Sequence, residues 1–301
     1  MTLKAFLSLV RIPTVFSSMS NAYAGYFIGG ATLFSAALPL GIAAAALFIM
    51  AGMALNDVAD KEVDARERPN RPIPSGAVSL KAAWTLSLSM MAAGLILLWV
   101  ANPLSVFFGL ALCAAIFAYN FALKSTVLGP ASMGLCRLLN LLTGMSLAWQ
   151  SWPDWKALPL AVFGALFSLW AYIALVTYLA RDEVQGNSRA KARLFLAGIT
   201  LWFMGWSAAI WMGMGPGQGI AAIAMAAVWL AHLLFLLGPF RNLAREPSPR
   251  NTGKTVGAML RTVPMADVMA MLAAGAPLAA ALPGVLWILP AWLIGQLFYS
   301  T

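Results

Sequence analysis

The sequence predicts an all-α protein that crosses a membrane several times. The chain has 301 residues, of which 61% are hydrophobic and only 10% are charged. A soluble protein of this length has too much surface for so few charges, so the bilayer must be its main solvent. Alternating hydrophobic segments of about 10 residues, which are typical of outer-membrane barrels, are not seen. Helices are the remaining way to satisfy the backbone in lipid, and a polytopic transmembrane helical bundle is therefore expected.

Apolar runs that are long enough to span a bilayer set the predicted helix count. A spanning helix needs roughly 20 mostly apolar residues. Runs of this kind cover residues 13–33, 38–56, 82–101, 103–121, 131–149, 157–179, 193–213 and 218–238. The tail, residues 263–299, is apolar enough for one long kinked span or two short ones, because Pro277 and Pro283 interrupt it. We predict nine spans, or ten if the tail crosses twice, in a single transmembrane domain over residues 1–301.

Charged residues are concentrated on one predicted side of the membrane. When the spans are placed in order, every Lys and Arg except Lys156 falls on the side of the N-terminus. The positive-inside rule makes this side cytoplasmic, so we expect an inner (plasma) membrane protein with its N-terminus and its active-site loops in the cytoplasm. The acids share that side, except Asp154 and provided that Asp267 does, although carboxylates contribute little to orientation. We therefore expect any chemistry on the cytoplasmic side.

Composition also argues against nucleic-acid binding and against a disulfide or a zinc site. The net charge of +9 does not indicate nucleic acid, because positive-inside topology alone makes such proteins basic and no aromatic-interleaved basic patch is present. The two cysteines, Cys113 and Cys136, lie in apolar runs without metal-ligand spacing. They are expected to be small core residues rather than a disulfide or a zinc site.

An acidic motif follows the second predicted span. Asn56, Asp60 and Asp64 are spaced four residues apart, so a helix places their oxygen atoms in one stripe. Hard cations such as Mg²⁺ prefer oxygen ligands and are shared with phosphates and waters. Unpaired acids in one stripe repel one another, which a solvated structural face would avoid. Asp57 lies one residue off the stripe and is either a further ligand or a residue that supports the ligands from behind.

A loop with arginines and prolines comes next. Arg68 and Arg71 are interleaved with prolines at positions 69, 72 and 74, and the loop ends at Ser75 and Gly76. A guanidinium group binds phosphate oxygens bidentately, so arginines beside a carboxylate site predict a phosphorylated ligand. The alternative is an ordinary loop of mixed charge, and the ligand spacing, the arginines and the prolines together argue against it.

The string from Asn56 to Gly76 resembles the signature of the UbiA superfamily of intramembrane prenyltransferases. That signature reads Asn-x-x-x-Asp-x-x-x-Asp, followed by Arg-Pro-x-Arg-Pro-Ile-Pro-Ser-Gly, and the span layout is similar over the whole chain. The resemblance implies a UbiA-type fold and a Mg²⁺-dependent transfer of a prenyl group from an allylic isoprenyl diphosphate. It leaves the acceptor unidentified. Membrane lipid is the other expected partner.

The motifs and the resemblance together assign the site residues. The predicted metal ligands are Asn56, Asp57, Asp60, Asp64, Asp182 and Glu183, and the acids expected to be catalytic are Asp60, Asp64 and Asp182. The predicted diphosphate-binding residues are Arg11, Asn21, Arg68, Arg71, Tyr119, Lys124, Arg137, Asn140, Tyr178 and Arg181, with Asn21 lining the cavity. Two alternatives stay open. Tyr119 and Lys124 also fit an interface tyrosine and a snorkelling lysine, and Arg137 is either a member of a structural ion pair or a ligand contact.

A second acidic motif, residues 178–186, follows the sixth predicted span. Superfamily members generally place Asp-x-x-x-Asp here for a second magnesium. This chain has Asp182, but Gly186 stands where the second acid is expected, and Glu183 points about 100° away from Asp182 on a helix. The departure removes one ligand of a two-metal site and indicates a divergent branch, such as the EboC-like one. It also favours the alternative function, a non-catalytic lipid-binding or transport protein, which the intact stripe of acids opposes.

The last third of the chain supports three smaller predictions. Residues 241–261 are expected to form a basic loop. Asp267, at the start of the next apolar run, is expected to pair with Arg261 rather than to reach the pocket. His232 lies in the middle of a span, where a hydrogen-bonded interior histidine is a better interpretation than a ligand.

Overall fold

The computed structural model describes residues 2–181, 183, 186–212 and 219–299, and within these ranges the regular structure is helical throughout. The helices are α1 (Leu3–Leu9), α2 (Ile12–Ile28), α3 (Ala37–Ala59), α4 (Lys61–Glu67), α5 (Leu80–Ala101), α6 (Pro103–Ala118), α7 (Gly129–Ser146), α8 (Leu160–Ala180), α9 (Arg189–Met212), α10 (Gly219–Arg245), α11 (Pro249–Arg261), α12 (Val263–Ala273), α13 (Leu278–Ala281) and α14 (Ile288–Tyr299). A π-helical turn, Tyr119–Leu123, extends α6, and two 3₁₀ turns occupy Trp155–Ala157 and Leu282–Trp287. The predicted all-α class is confirmed.

Helix length and hydropathy show a multi-pass membrane protein. Among the described residues, seven helices are long and apolar enough to cross a membrane: Ala37–Ala59, Leu80–Ala101, Pro103–Leu123, Leu160–Ala180, Arg189–Met212, Gly219–Arg245 and Pro249–Ala273. The predicted spans 13–33 and 131–149 correspond to α2 and α7, which have 17 and 18 residues and several polar side chains facing inward. The multi-pass architecture is confirmed, whereas the count of nine spans stays a prediction.

The prediction of a basic loop over residues 241–261 is wrong. The Ser248 side chain caps a new helix, α11, by accepting a hydrogen bond from the backbone amide of Asn251 at 3.4 Å. This helix buries Thr252, Val256 and Met259 and packs against α8 and α10. Apolar side chains recur every three to four positions there, which is the period of an amphipathic helix. The prediction failed because it considered only the charges of the segment.

The tail of the chain is broken in the way that its prolines predict. Thr262 lies between the end of α11 and the start of α12, and the first turn of α12 contains Pro264. Gly275, with φ of 83°, and Pro277 then separate α12 from the remaining short helices. Glycine is required at this turn because the left-handed conformation is costly for other residues. The last helix, α14, packs against α2.

Two helices, α2 and α12, lie at the centre of the bundle. Nearly every side chain of α2 from Ser17 onward is buried, as is that of every residue in α12 except its last. By contrast, the outer helices present large apolar side chains to the surroundings, with Leu160 85% and Trp211 77% exposed. Exposed apolar faces of this extent are unfavourable in water and are those expected to contact lipid.

Glycines bring α2 and α7 into close contact. A Cβ atom at Gly25 would lie 2.2 Å from the carbonyl oxygen of Leu141, and one at Gly144 would lie 2.2 Å from that of Ala22. Both distances are far below any normal contact, so only glycine fits at either position. Small residues at a helix interface are a common way to pack helices in membranes, where the hydrophobic effect does not drive association. The close contact of α2 with α7 determines the positions of the polar residues on both helices.

Candidate active site at the mouth of an apolar cavity

The stripe of Asn56, Asp60 and Asp64 continues across a break between α3 and α4. Asp60 ends α3 with φ of −91° and ψ of 4°. Nevertheless, the backbone amides of Asp60, Asp64 and Arg68 each donate to the carbonyl four residues earlier, at 2.9, 2.8 and 2.8 Å. These three hydrogen bonds keep the residues of the stripe in helical register across the junction. The predicted stripe therefore exists, and Arg68 continues it by one more turn.

Asp57 links two arginines from distant parts of the chain. Its Oδ1 atom accepts from Arg11 Nη2 at 2.9 Å and from Arg71 Nη1 at 3.3 Å, and its side chain is fully buried. Arg11 also donates to Asn56 Oδ1 at 3.0 Å. The pKa of Arg71 is lowered, first by burial and then by the neighbouring Arg11, and the opposite effects of Asp57 and Asp64 are smaller. In this geometry, Asp57 holds the arginines in place from behind the stripe.

Arg11 adopts a strained backbone conformation. It has φ of 47°, and among the described residues it is the one non-glycine residue with positive φ. Such a conformation costs of order 1–3 kcal/mol and persists where the surroundings over-determine it. Here the bonds to Asn56 and Asp57 hold the guanidinium group at the start of α2.

A π-helical turn places Lys124 against the stripe. The Lys124 amide donates to the carbonyl of Tyr119, five residues earlier, at 2.9 Å. In the same turn, Asn120 Nδ2 donates to the carbonyl of Ile116 at 3.0 Å, and Asn120 Oδ1 accepts from Asn56 Nδ2 at 3.2 Å. Single π turns of this kind are frequent at functional sites. The Lys124 ammonium forms an ion pair with Asp60 Oδ1 instead of turning toward the surface.

The donors near the stripe suit a hard cation, although they are not preassembled around one. Among the described residues, no group of three or more His, Cys, Asp or Glu side chains is arranged to hold a metal ion. Asp64 is only 6% exposed and its side chain has no hydrogen-bond partner among those residues, and Asp57 Oδ2 is buried without a hydrogen bond. A buried carboxylate without a partner, beside amide and carboxylate oxygens, is a donor set that fits Mg²⁺. In this structure Asp60 is paired with Lys124 instead.

The second motif and the first both contact the segment at Lys124 and Ser125. Arg181 Nη2 donates to the carbonyl of Ser125 at 3.0 Å, directly beside Lys124. The Tyr178 ring lies 4.8 Å from the ammonium of Lys191. Asp182, the predicted ligand of a second metal, lies outside the described residues. Residues 124 and 125 thus connect the end of α8 to the stripe of acids.

The backbone around Gly186 does not accommodate the acid that the second motif generally has at this position. Gly186 has φ of 81°, and a Cβ atom there would lie 3.0 Å from Pro249 Cδ and 3.2 Å from the carbonyl oxygen of Pro247. An aspartate at this position would therefore be both strained and crowded. Glu183 lies against α11, with its Oε1 atom 2.7 Å from the point that a Cβ of Gly253 would occupy. Gly186 thus offers no carboxylate for a second metal, and the role of Glu183 as a ligand stays a prediction.

An open cavity adjoins the stripe at Asn56, whereas Asp60 and Asp64 are not among the residues that line it. It contains about 710 Å³ of empty space, including the part that is open to the outside. Its walls are mostly apolar, and they include Phe48, Leu112, Tyr119 and Met133. Sequence reasoning did not single out Phe48 or Met133, because apolar residues within spans look alike. Arg11 and Asn56 line the cavity at the stripe, whereas Ser18, Arg137 and Asn140 line it elsewhere.

Asp267 belongs to a buried polar network, and the prediction that it pairs with Arg261 is wrong. Its Oδ2 atom accepts from Ser20 Oγ at 2.7 Å, and its Oδ1 atom accepts from Asn21 Nδ2 at 3.2 Å. Asn21 is fully buried in this network, so the prediction that it lines the cavity is also wrong. The cause is the close packing of α2 against α12, which the span pattern does not reveal.

Two other interior polar residues have their positions decided by packing. Within the described ranges, Arg137 forms no ion pair, and its Nη2 atom donates to Ser17 Oγ at 3.2 Å. His232 is fully buried, and its Nε2 atom lies 3.1 Å from the Tyr172 hydroxyl. The prediction of a hydrogen-bonded interior histidine is therefore confirmed.

Comparison with known proteins identifies the family. The model of the UbiA prenyltransferase family matches residues 18–259 of the chain. The chain belongs to the UbiA prenyltransferase family. Solved structures share the fold of this UbiA protein. A UbiA homolog from Archaeoglobus fulgidus bound to GPP and Mg²⁺ has a TM-score of 0.62 and 16% identity, covering 86% of this chain and 99% of that one. The apo structure of a UbiA homolog from Aeropyrum pernix K1 has a TM-score of 0.60 and 20% identity, covering 82% and 94%.

Curated relatives of this UbiA protein include digeranylgeranylglyceryl phosphate synthases. That of Sulfolobus acidocaldarius is 35% identical over 130 residues, which are 43% of this chain and 46% of that protein. That of Ignicoccus hospitalis is 32% identical over 185 residues, which are 61% and 58% of the two chains. The chain thus spans about half the length of the curated relatives that it matches. The predicted superfamily is confirmed, and the EboC-like branch stays a prediction.

Proposed function

We propose that this protein transfers a prenyl group from an allylic isoprenyl diphosphate to a nucleophilic acceptor in a Mg²⁺-dependent reaction. The observation that supports this most directly is that Arg11 and Asn56 belong to the polar cluster and also line the cavity. The polar cluster consists of the stripe and of the side chains bonded around it, namely Arg11, Asp57, Arg71, Asn120 and Lys124. A diphosphate group at the cluster would therefore leave its prenyl chain in the cavity. Membership of the UbiA family and the names of the relatives point the same way.

The polar cluster has groups for each part of this chemistry. A bound Mg²⁺ would neutralise the diphosphate and improve it as a leaving group. Asn56, Asp60 and Asp64 would hold that ion, and Asp182 would contribute from the second motif. Arg11, Arg71 and Lys124 would donate to the oxygens on which negative charge develops, with Arg68 nearby on the same stripe. Lys124 would leave Asp60 for a phosphate oxygen, which releases Asp60 for the metal.

Bond changes in the proposed reaction balance without a further reactant. The nucleophilic atom of the acceptor forms a bond to C1 of the prenyl chain. The C1–O bond breaks, and its electron pair leaves with the diphosphate, while the acceptor loses one proton. The Phe48 and Tyr119 rings in the cavity wall can stabilise the positive charge that develops on the allylic carbons.

The names of the relatives widen the range of acceptors to be tested. A digeranylgeranylglyceryl phosphate synthase is named for a product that contains glyceryl phosphate. We therefore propose two classes of acceptor for testing, glyceryl phosphate lipids and hydroxylated aromatic rings. We further propose that residues 1–301 form one transmembrane domain in the inner membrane, with the mouth of the cavity in the cytoplasm. The distribution of Lys and Arg supports this orientation.

Release of diphosphate by the purified protein tests the proposal. The protein in lipid nanodiscs would be incubated with dimethylallyl, geranyl or geranylgeranyl diphosphate, with Mg²⁺ or with EDTA. The acceptors would be 4-hydroxybenzoate, 1-O-octadecylglycerol 3-phosphate and a long-chain alcohol. We expect metal-dependent release of diphosphate together with a prenylated product. Asp64→Asn should lower the rate about 100-fold, because one metal ligand is lost. Glu62→Gln, an exposed acid on the same short helix, is the matched control.

The alternative is a lipid-binding or transport protein that retained the fold without the chemistry. It predicts no diphosphate release with any pair of substrates, and lipid binding that is the same in wild type and in Asp64→Asn. That combination of results would overturn the proposed function.

A further inference from the structure

Among the described residues, three that line the cavity have a buried polar atom without a hydrogen-bond partner. Arg11 Nε is the one at the stripe, and the other two, Arg137 Nη1 and Asn140 Oδ1, lie one turn apart on α7. Arg137 is 9% exposed and Asn140 is 3% exposed, and both residues line the cavity. A buried polar group without a partner costs roughly 1–3 kcal/mol, and more if it is charged. An unused donor and an unused acceptor one turn apart, in residues that line a cavity, are a reason to look for a ligand with the complementary groups.

A chain of hydrogen bonds decides that the free atom of Asn140 is the acceptor. Asp267 is acceptor-only when ionised, so the Asn21 amide must direct its Nδ2 donor toward it. This orientation leaves Asn21 Oδ1 to accept from Asn140 Nδ2 at 2.9 Å, while the same nitrogen also donates to the carbonyl of Ser18 at 3.0 Å. The Asn140 oxygen is then left free. It requires a donor such as a hydroxyl group.

The guanidinium group of Arg137 requires an anionic oxygen. Its only side-chain hydrogen bond within the described ranges goes to the neutral Ser17 hydroxyl. A charge held within a membrane protein without a counter-ion is expensive, and arginine binds carboxylate and phosphate oxygens well. Asp267, the carboxylate of the same network, lies close enough to interact electrostatically with Arg137, but it accepts its hydrogen bonds from Ser20 and Asn21. Arg137 therefore has a counter-charge nearby, whereas its Nη1 donor still has no acceptor among the described residues, and an anionic oxygen of a ligand fits that place.

The position of this pair separates it from the diphosphate cluster. Ser17, which holds Arg137, lies six residues beyond Arg11 along α2, or about 9 Å deeper at 1.5 Å per residue. The diphosphate group is proposed to lie at Arg11, so a second polar group would lie further inside the same cavity. The residues that line the cavity include the polar groups of both places, Arg11 and Asn56 in one and Arg137 and Asn140 in the other.

We propose that Arg137 and Asn140 form the subsite for the polar head of the prenyl acceptor. The subsite takes a molecule with a hydroxyl group, which donates to Asn140 Oδ1, beside an anionic oxygen, which accepts from Arg137 Nη1. A glyceryl phosphate lipid and a hydroxylated aromatic acid both have this chemistry. The inference rests on the proposed function, and it moves both residues from the diphosphate site to the acceptor site.

Binding measurements in nanodiscs test the subsite without requiring turnover. The acceptor probes are 1-O-octadecylglycerol 3-phosphate and 4-hydroxybenzoate, compared with 1-O-octadecylglycerol and phenol, which lack the anionic group. A non-reactive thiodiphosphate of geranylgeraniol with Mg²⁺ reports on the diphosphate site. Whichever anionic probe binds the wild-type protein, we expect Arg137→Gln to weaken its affinity by about tenfold or more. The affinity of the uncharged counterpart of that probe should fall by less than about twofold. Asn140→Leu should weaken both members of that pair, because both retain the hydroxyl group. The probe that binds distinguishes the phosphate source from the carboxylate source.

Controls make each outcome decisive. The matched control is Arg250→Gln, an exposed arginine on α11, which should change no affinity. Equal weakening of the thiodiphosphate by Arg137→Gln would overturn the proposal by placing Arg137 in the diphosphate site. Binding of neither anionic probe to the wild-type protein would also overturn it. Probe binding that depends on Arg137, in a protein that binds no prenyl diphosphate, would uphold the subsite and reject the proposed function.

A wild-type measurement covers the case in which Arg137→Gln does not fold. Excess inorganic diphosphate with Mg²⁺ should leave the bound acceptor probe in place, because the two sites are separate. Displacement of the probe would place its anionic group at the mouth of the cavity and would contradict the proposal.

Discussion

At the residue scale, Asp57 shows how a single carboxylate organises the mouth of the cavity. It is fully buried, and it accepts hydrogen bonds from one arginine before α2 and from another in the proline-rich loop. Without it, two cationic side chains would lie close together with no carboxylate hydrogen-bonded to either of them, and Asp64 would be the remaining counter-charge of Arg71. Its sequence position suggested either a metal ligand or a supporting residue, and the contacts of the folded chain favour support.

Neutralising Asp57 should therefore destabilise the protein. We expect Asp57→Asn to lower the free energy of unfolding by about 2–3 kcal/mol, since removal of one partner from a buried ion pair costs about 3–5 kcal/mol and the two arginines are partly exposed. The thermal unfolding midpoint in detergent measures the effect, with Glu62→Gln as the control. An unchanged midpoint in Asp57→Asn would show that the arginines do not depend on this carboxylate.

At the element scale, the contact between α2 and α7 determines where the interior polar groups meet. Gly25 and Gly144 allow the two backbones to approach so closely that neither position accommodates a Cβ atom. The same packing brings Ser17, Ser18 and Asn21 against Arg137 and Asn140. The sequence shows the glycines, but not which helix each of them faces.

Adding one methyl group at this contact should be costly. We expect Gly144→Ala to lower the free energy of unfolding by about 1–3 kcal/mol, because the helices must separate to relieve the overlap with the Ala22 carbonyl. Gly164→Ala on α8 is the matched control, since nothing lies within 4 Å of the added methyl group. That change should be neutral or slightly stabilising because alanine favours a helix. Equal thermal unfolding midpoints for the two variants would refute the proposed role of the contact.

At the scale of the whole molecule, the charged loops and the cavity mouth are expected at the same face of the membrane. The loop at residues 124 and 125 connects the ends of both motifs, through Asp60 on one side and Arg181 on the other. The segment around Asp154 and Lys156 is expected at the opposite face because it follows an odd-numbered span. The bias of basic residues then sets the orientation.

Labelling of introduced cysteines can test this orientation. In a chain with Cys113→Ala and Cys136→Ala, a membrane-impermeant maleimide should modify Ser75→Cys only from the cytoplasmic side, and Ser151→Cys only from the other side. Both serines are exposed. Right-side-out and inverted membrane vesicles provide the two arms of the measurement. Labelling of both positions from one side would show that the predicted number of crossings between them is wrong.

Local patterns were sufficient for the features that repeat along the chain. Hydropathy predicted the all-α membrane fold, because lipid leaves few ways to satisfy the backbone. The spacing of Asn56, Asp60 and Asp64 predicted their shared stripe, because hydrogen bonds four residues apart maintain helical register even through the break at Asp60. The family was recognisable from the same residues. These features depend on neighbours in the sequence, which the sequence itself displays.

Tertiary structure alone decided which distant residues meet. Asp267 bonds to Asn21 across 246 positions of the chain, although the sequence offered Arg261 as a nearer partner. In the same way, only the packing of α2 against α7 leaves atoms of Arg137 and Asn140 unpaired in the cavity wall. Each of these contacts depends on how the faces of two helices fit together. That fit is a property of the packed bundle, and the periodicity of a single helix does not contain it.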